Sequence, residues 1–383
     1  MSLIITLNAG SSSIKFSVYE AHAEPALLQK GQVENLGPAA QLQLKGTPSV
    51  DIGAADHKAA VAAILSALKP VLQGRPVSVV GHRIVHGGTE FKAPVRLTDK
   101  VIAALAELNP LAPLHQPHNL TAVAAAQAAF PDAIQIACFD TAFHSGHPFV
   151  NDTFALPRRF YEAGVRRYGF HGLSYDYITA RLAQDWPKLS AGRVVVAHLG
   201  NGASMCAVRD GHSIGSTMGF SALDGLPRGT RCGQLDPGVL LSLMDQGMGG
   251  DEITTLLYRE SGLKGLSGLT HDMRTLLASD APEAAEAIDY YVFRIRRELG
   301  AMAAVLGGLD AVVFTGGIGE NAAEIRRRVI SDMEFLGLYL DEDANLRNAT
   351  DIGTGAAEIL VIPTDEERVI ARAANNWIAR HHM

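Results

Sequence analysis

Cysteine is scarce in this chain, and so are the features of secreted and membrane-spanning proteins. Three cysteines occur, Cys138, Cys206 and Cys232, and they are dispersed with no CxxC pair. An odd and scattered set indicates neither a disulfide framework nor a zinc-ribbon site. No apolar run approaches the roughly 20 residues that a membrane span needs, and the start of the sequence lacks the basic segment of a signal peptide. We therefore expect a cytoplasmic protein with no membrane partner.

Basic charge is also in deficit. Lys and Arg number 33 against 40 Asp and Glu, so the formal net charge is −7. A general nucleic-acid binder would carry a basic surplus, and we expect no nucleic-acid partner. Two common phosphate-binding fingerprints are missing too, because the chain has no GxxxxGKS/T segment and no GxGxxG segment after a strand. A nucleotide would have to be bound by a different scheme.

What the chain does contain is an alternation of strand and helix patterns. Its 383 residues exceed one ordinary core, so we expect two domains. Runs rich in Val and Ile predict strands at 3–8, 13–19, 77–85, 133–139, 193–199, 204–209, 309–315 and 358–362. Ala- and Leu-rich stretches predict helices near 57–72, 99–108, 119–129, 173–184, 236–246, 281–306, 321–335 and 364–380. This alternation predicts an α/β fold with mixed sheets.

The most informative segment is 4–18, which indicates an apolar strand, a tight turn of small polar residues and a second strand. Gly10 and the serines beside it allow a ligand to approach the backbone, and Lys15 adds a positive charge. A serine-rich hairpin without a ligand is the alternative for this segment alone. Residues 194–208 repeat the pattern about half a chain away. The repeat predicts a duplicated domain with one phosphate-facing hairpin in each half.

Charged side chains stand at the ends of several predicted strands and in glycine-rich turns. Phosphoryl transfer needs cations around the travelling group and a carboxylate for Mg²⁺. Candidates of these types are Arg83, Asp140, His171, Arg231 and Glu366. Taken alone, each also fits an ordinary structural role: a surface arginine, a helix cap, a turn histidine, a solvated loop or an acidic first turn of a helix.

Nine motifs in order resemble the acetate kinase family through most of the chain. They are NAGSSSIKF at 8–16, HRIVHGG at 82–88, APLH at 112–115, FDTAFH at 139–144, YGFHGLSY at 168–175, HLGNGAS at 198–204, GTRCG at 229–233, FTGGIGEN at 314–321 and PTDEE at 363–367. The resemblance implies two related α/β domains of the actin-like ATPase (ribonuclease H-like) fold around a central cleft, usually in a homodimer. We place the N-terminal domain at 1–145 plus 367–383, and the nucleotide-binding and dimerisation domain at 146–366.

The resemblance also implies roles for individual residues. On the phosphate side, the first turn would contribute Asn8, Ser11, Ser13 and Lys15. Arg83 and Arg231 would flank acetate and the travelling phosphoryl group, and His171 would donate to that group. Asp140 and Glu366, with Asn8 nearby, would hold Mg²⁺ (or Mn²⁺).

The remaining roles concern the nucleotide and the acyl group. The second phosphate turn would be formed by His198, Asn201 and Gly202, and the adenosine pocket by Asp272, Met273, Arg274, Gly317, Ile318 and Asn321. The apolar wall around the acetate methyl would be formed by Val85, Leu114 and Phe170, with Ala222 at the position where the family usually has proline. Two further departures are Gln116, where the family usually has Asn, and Arg228, where it often has Met.

The expected activity is reversible transfer of the γ-phosphoryl group of ATP to acetate, giving acetyl phosphate and ADP. Acetate is ionised at pH 7 and needs no general base, so direct in-line transfer is expected. A rival mechanism would phosphorylate Glu366, and the two differ in stereochemistry at phosphorus, inversion for direct transfer and retention for the phosphoenzyme. Ala222 leaves a propionate or short-chain fatty acid kinase open. A sugar kinase, or a nucleotide-switched binding protein like actin or the chaperone ATPases, would share the same fold and stays open too.

Overall fold

The computed structural model describes residues 2–10 and 12–381, which divide into two compact units. Unit 1 falls within Met1–Ser145 and Asp365–Met383, and unit 2 is Gly146–Thr364. The sequence-based boundary assigned Glu366 to the second domain, whereas the structure groups it with unit 1. No helix among the described residues is both long enough and apolar enough to cross a membrane.

Thirteen strands are found in the described residues. They are β1 (Leu3–Ala9), β2 (Ile14–Glu20), β3 (Ala26–Glu34), β4 (Gly37–Leu44), β5 (Val50–Ala55), β6 (Val77–Ile84), β7 (Val95–Arg96), β8 (Ile134–Phe139), β9 (Arg193–Leu199), β10 (Ala203–Arg209), β11 (His212–Ser216), β12 (Ala311–Thr315) and β13 (Glu358–Val361).

Sixteen α-helices are found in the same residues, besides short 3₁₀ turns and a π-turn at Leu256–Glu260. They are α1 (His57–Leu72), α2 (Asp99–Ala106), α3 (Gln116–Ala129), α4 (Phe149–Asp152), α5 (Arg158–Glu162), α6 (Gly172–Asp185), α7 (Pro187–Ser190), α8 (Pro237–Asp245), α9 (Gly250–Thr255), α10 (Gly262–Ser267), α11 (Met273–Leu277), α12 (Pro282–Leu306), α13 (Gly316–Asn321), α14 (Ala323–Ile330), α15 (Glu342–Leu346) and α16 (Glu366–His381).

The sheet of unit 1 has the order β5-β4-β3-β2-β1-β6-β8-β7. Strands β1 and β2 form an antiparallel hairpin, whereas β1 runs parallel to β6 and β6 parallel to β8. The carboxyl ends of three parallel strands therefore meet at one edge of the sheet. The residues at or just beyond those ends include Asn8, Arg83 and Asp140, so the topology alone brings their side chains to one place.

The sheet of unit 2 repeats that arrangement with the order β11-β10-β9-β12-β13. Strands β9 and β10 form the antiparallel hairpin, and β9, β12 and β13 are parallel. Both units thus share an antiparallel hairpin followed by parallel strands reached by crossover connections. The predicted duplication and mixed α/β sheets are confirmed.

Several elements were not predicted from the sequence. Strands β3 and β5 are mostly exposed and β4 is only partly buried, and none of the three carries the continuous apolar run that marks a buried strand. The short helices α4, α5, α7, α9, α10 and α11 have four to six residues, which is under two turns and too short for a helical period to register. The long core elements were predicted closely, as in α1, which spans the predicted 57–72.

Helix α16 packs against β1 and β6 of unit 1, which brings its first turn to the edge of the sheet where β1, β6 and β8 end; we call this the active edge of unit 1 because the candidate site residues lie there. Close approach is possible because residue 81 is glycine: a Cβ there would lie 2.5 Å from Cγ2 of Ile370, a buried residue of α16. The lack of a side chain at Gly81 therefore helps to set where Glu366 begins the helix.

We expect Gly81→Ala to lower the free energy of unfolding by about 1–3 kcal/mol, because overpacking forces α16 away from the sheet. Urea unfolding followed by circular dichroism measures this change. The matched control is Gly300→Ala inside α12, where a Cβ meets nothing within 4 Å. This substitution should raise the free energy of unfolding by about 0.5–1 kcal/mol. Equal stability of the two variants would contradict this role of Gly81.

Candidate active site

A buried ion pair forms the centre of the active edge of unit 1. Nε of Arg83 donates to Oδ1 of Asp140 at 2.9 Å, and Nη2 donates to Oδ2 at 2.6 Å. The Asp140 side chain is 1% exposed and that of Arg83 15%. Asp140 directly follows β8, and its backbone N–H donates to the carbonyl of Ile84 at 3.1 Å. Arg83 therefore presents a planar fork that already holds one carboxylate bidentately.

Asn8 connects this pair to the first turn of α16. Its Oδ1 accepts from Nη1 of Arg83 at 3.1 Å, and its Nδ2 donates to Glu366 at 2.8 Å and to Glu367 at 3.2 Å. The amide oxygen of Asn8 thus faces the arginine, and the amide nitrogen faces the two carboxylates. Asn8, Arg83, Asp140 and Glu366, predicted from four distant motifs, form one hydrogen-bonded network, and Glu367 is an additional member that the sequence did not predict.

The charges of this network shift the pKa values of its own side chains. Burial acts to lower the pKa of the Arg83 guanidinium, but the bonded Asp140 carboxylate outweighs burial and the net pKa lies above its ordinary value. Glu366 and Glu367 act in the same direction as Asp140. Burial raises the pKa of the Glu367 carboxyl, Lys15 opposes that rise, and Glu366 adds to it. The network therefore keeps its cation charged while crowding carboxylates together.

Oxygen donors suited to Mg²⁺ are present in this network. Asn8, Asp140 and Glu366 supply one amide and two carboxylates, which are ligands that Mg²⁺ takes in small number while keeping several waters. In residues 2–10 and 12–381, no group of three or more His, Cys, Asp or Glu side chains is arranged to hold a metal ion. The donor set therefore fits a cation that shares its shell with phosphate oxygens and water rather than one caged by protein.

The first phosphate turn is held by hydrogen bonds to its own backbone. The N–H of Gly10 donates to the carbonyl of Ser13 at 2.8 Å, and Nε2 of His57 donates to the carbonyl of Gly10 at 2.7 Å. Lys15 is exposed and lies opposite Asn8 in the hairpin register, so both side chains stand on one face. Ser11 lies outside the described residues.

Two of the predicted wall residues belong to unit 1. Val85 is buried and Leu114 half-buried. The amide of Asn119 joins the ends of two strands, since it accepts from the N–H of Val85 at 3.0 Å and donates to the carbonyl of Ala9 at 2.6 Å. Gln116 is fully buried and bonds the backbone of His86 through both its amide atoms. This departure from the family pattern is therefore a structural residue.

Unit 2 holds the predicted histidine. His171 adopts the left-handed backbone conformation with φ of 57° immediately before α6. Its Nδ1 is 2.8 Å from Oγ of Ser204, which also bonds the hydroxyl of Tyr175. Ser204 and Tyr175 are completely buried. They fix the ring orientation, a role the sequence did not reveal although both residues lie within the quoted motifs.

The second turn lies against this histidine. A Cβ at position 202 would be 2.9 Å from Nε2 of His171, so Gly202 leaves room that any side chain would fill. The rings of His171 and His198 stack with centroids 4.4 Å apart, and Nδ1 of His198 is 2.8 Å from Oγ of Ser174. Asn201 lies near Gly229, because a Cβ at 229 would be 2.7 Å from its Oδ1.

The arginine loop of unit 2 contains one partly exposed and one buried cation. Nη1 of Arg231 is 3.5 Å from the carbonyl of Ala222, which is 9% exposed. Arg228 is 1% exposed, and burial followed by the neighbouring Arg231 lowers its pKa to about 9, which leaves it charged at pH 7. Phe170, the third predicted wall residue, is buried in this unit.

The candidate adenosine residues lie on two segments. Strand β12 pairs with β9 up to Thr315 opposite His198, and a Cβ on Gly316 would meet the carbonyl of Leu199 at 2.7 Å. A Cβ on Gly317 would meet nothing within 4 Å, and Nδ2 of Asn321 donates to the Gly317 carbonyl at 2.9 Å. The first turn of α13, which includes Ile318, thus adjoins the second phosphate turn.

The other segment is the start of α11. Asp272 caps that helix, and its carboxylate accepts from the N–H of Arg274 at 2.8 Å. Arg274 also pairs with Asp272 at 2.6 Å and holds the pKa of that carboxyl down at about 2. The Arg274 side chain is 91% exposed, whereas Met273 is buried in the core. Exposed Arg274 leaves a planar cation that a nucleobase could stack on.

Comparison with known proteins gives full-length matches. The model of the acetokinase family matches residues 3–372. The acetate kinase of Methylocella silvestris is 55% identical, and the alignment covers 96% of each chain. The crystal structure of Porphyromonas gingivalis acetate kinase is 38% identical with a TM-score of 0.87, covering 98% of this chain and 99% of that one. A propionate kinase structure from Francisella tularensis is 35% identical with a TM-score of 0.92, covering 98% and 100%.

These matches confirm the resemblance drawn from the nine motifs, the fold class and the assignment as a kinase that acts on a carboxyl group. The chain belongs to the acetokinase family.

Proposed function

We propose that the chain catalyses the magnesium-dependent, reversible transfer of the γ-phosphoryl group of ATP to acetate by direct in-line displacement. The observation that carries the proposal is the network of Arg83, Asp140, Asn8 and Glu366. Asp140 fixes the Arg83 guanidinium through two parallel hydrogen bonds, and a guanidinium has five N–H donors, so it can also donate to a carboxylate such as acetate.

The protein's own residues would bind and orient two anions. Arg83 and Arg231 would bind the acetate carboxylate and the oxygens of the travelling phosphoryl group, and His171 would donate a hydrogen bond to that group. No residue has to remove a proton, since acetate is ionised at pH 7. Charge that spreads over the phosphoryl oxygens in a loose transition state would be stabilised by donors already in position.

Asn8, Asp140 and Glu366 would hold Mg²⁺, with Mn²⁺ as a substitute. When bound, the cation would neutralise charge on the phosphate oxygens. For the nucleotide, we propose a first phosphate turn with Ser11, Ser13 and Lys15 and a second with His198, Asn201 and Gly202. The adenosine would lie against Asp272, Met273, Arg274, Gly317, Ile318 and Asn321. Val85, Leu114, Phe170 and Ala222 would line the acyl group.

Propionate is the second candidate acceptor, and two observations favour keeping it. Ala222 lacks the ring of the family's usual proline, and a propionate kinase is among the similar structures. One methylene is worth only about 1–3 kcal/mol of discrimination. The phosphoenzyme route through Glu366 remains the rival mechanism, whereas a chaperone-like binding protein finds no support among the relatives.

Assembly and location complete the proposal. We propose a homodimer in the cytoplasm that uses small-molecule substrates and binds neither nucleic acid nor membrane. The family resemblance supports the dimer, and the acidic composition supports the lack of a nucleic-acid partner. Size-exclusion chromatography with light scattering would give the subunit number.

The assay that tests the activity traps acetyl phosphate as its hydroxamate while ADP is measured in parallel. We expect acetate-dependent formation of both products in equal amounts when ATP and Mg²⁺ are present. Acetate, propionate and butyrate are compared by kcat/KM, with acetate expected to be the best. ADP formation that does not depend on any short-chain carboxylate would overturn the proposal.

Arg231→Ala should lower kcat by roughly 10²–10³, which is the scale for one lost transition-state donor. The matched control is Arg296→Ala, which removes an arginine from a partly exposed ion pair with Asp332 in the same unit. Steady-state kinetics on both variants measures the difference. Turnover of Arg231→Ala close to that of the wild type would contradict the proposed role of Arg231 in binding the phosphoryl group.

Ser204→Ala should free the His171 ring, because the buried hydroxyl at Nδ1 is removed. In the wild type we expect one neutral tautomer in long-range ¹H–¹⁵N NMR spectra, and in the variant a mixture accompanied by lower kcat. Ser174→Ala removes the equivalent hydroxyl from His198 and should leave the His171 tautomer unchanged. A single tautomer in Ser204→Ala would show that other contacts orient the ring.

A further inference from the structure

The side chain of Arg228 is buried, and every hydrogen bond that its guanidinium makes within the described part of the chain goes to a backbone carbonyl. Nε donates to the carbonyl of Ala203 at 3.1 Å, Nη1 to that of Leu223 at 3.3 Å and Nη2 to that of Asp224 at 2.7 Å. Among the residues that the structure describes, no carboxylate forms a hydrogen bond with this guanidinium. The carboxylate of nearby Asp224 instead accepts from Arg167 and from the N–H of Gly225. Burying a cation without an ionic partner is costly, so its contacts require an explanation.

The carbonyls that Arg228 binds come from two segments beside the proposed acyl pocket. One is the start of β10, where Ala203 precedes Ser204, the residue that holds His171. The other is Ala222–Asp224, which we name the wall segment. Arg231 lies against the third carbonyl of the wall segment, that of Ala222, at 3.5 Å. Two arginines of one loop therefore bond every carbonyl of the wall segment.

The wall segment has no proline to stiffen it. A proline at 222 would fix φ at that position through its ring, but this chain has Ala222. The planar guanidinium of Arg228 bonds two of the three carbonyls of the wall segment, and its third bond, to the carbonyl of Ala203, connects the segment to β10. The backbone N–H of Arg228 also donates to the carbonyl of Arg231 at 3.0 Å, which links the two arginines of the loop.

We propose that Arg228 is a positioning residue that sets which acyl chain length the enzyme accepts, by fixing the wall segment against β10. The inference rests on the proposed function, since it names a determinant of selectivity at that site. A wall that cannot shift leaves no space for one more methylene, whereas a loosened wall admits it. Arg228 acts through the wall segment and does not itself touch the acyl group.

The test compares wild type, Arg228→Met and Arg228→Lys in steady-state assays with acetate and propionate at saturating ATP. Methionine has a similar length and no donors, so it keeps the packing volume and removes all three bonds. For Arg228→Met we expect the ratio of kcat/KM for acetate to that for propionate to fall about fivefold or more, within the range that one methylene controls. KM for acetate should rise, and KM for ATP should stay the same.

Arg228→Lys retains the charge and part of the bonding, so its ratio should lie between those of the wild type and the Met variant. It also keeps the proposal testable if Arg228→Met does not fold. The matched control is Arg326→Met, which removes another fully buried arginine of unit 2 that donates to the carbonyls of Gly319 and Asn345. It should lower the melting temperature and leave the acetate-to-propionate ratio unchanged.

Three outcomes would overturn the inference. They are a wild-type ratio in both Arg228 variants, an equal change of KM for acetate and ATP, and a shift of the ratio in Arg326→Met as large as that in Arg228→Met. A wild type that phosphorylates neither carboxylate would instead refute the proposed function. The two failures are therefore distinguishable in the same set of assays.

Discussion

The buried pair of Arg83 and Asp140 is the interaction on which the rest of unit 1's active edge depends. Isolated, either charge would be expensive to bury, and together they satisfy each other through two short hydrogen bonds. The parallel pairing of β6 and β8 makes this geometry available, since Arg83 lies opposite Cys138, two residues before Asp140. Asn8 and the first turn of α16 then complete a network whose members are far apart in the sequence.

The duplicated topology explains why related chemistry occurs twice. Each unit has a hairpin whose turn contains small residues, followed by parallel strands that end at the same edge as that turn. In unit 1 that edge carries carboxylates and one paired arginine, and in unit 2 it carries stacked imidazoles and an arginine loop. The same topology thus presents different side chains at this edge in the two units, because residues at strand ends can vary while the buried strands stay apolar.

Sequence reasoning predicted the parts of the molecule where a short pattern determines the structure. The buried strands and long helices have clear periods, and the nine motifs identified four members of the network around Asn8. It did not predict strands β3 to β5, which are at most partly buried and have no continuous apolar run, or the contributions of Glu367, Ser204 and Tyr175. Those three act through contacts with side chains or segments distant in the sequence, which no local pattern encodes. In the sequence, Arg228 was only a departure from the family's usual Met, and its bonds to three backbone carbonyls became evident in the structure.

The distribution of charge bears on why a divalent cation belongs to the proposed reaction. Around Asn8, three carboxylates stand against two cations, Arg83 and Lys15, and the pKa of Glu367 is raised by burial and by this crowding. An excess of negative charge at that edge would repel a polyphosphate. Arg83 cannot offset the excess alone, because Asp140 already bonds two of its nitrogens. The arrangement therefore needs additional positive charge before an anionic substrate can bind there, which supports the proposal that Asn8, Asp140 and Glu366 hold Mg²⁺.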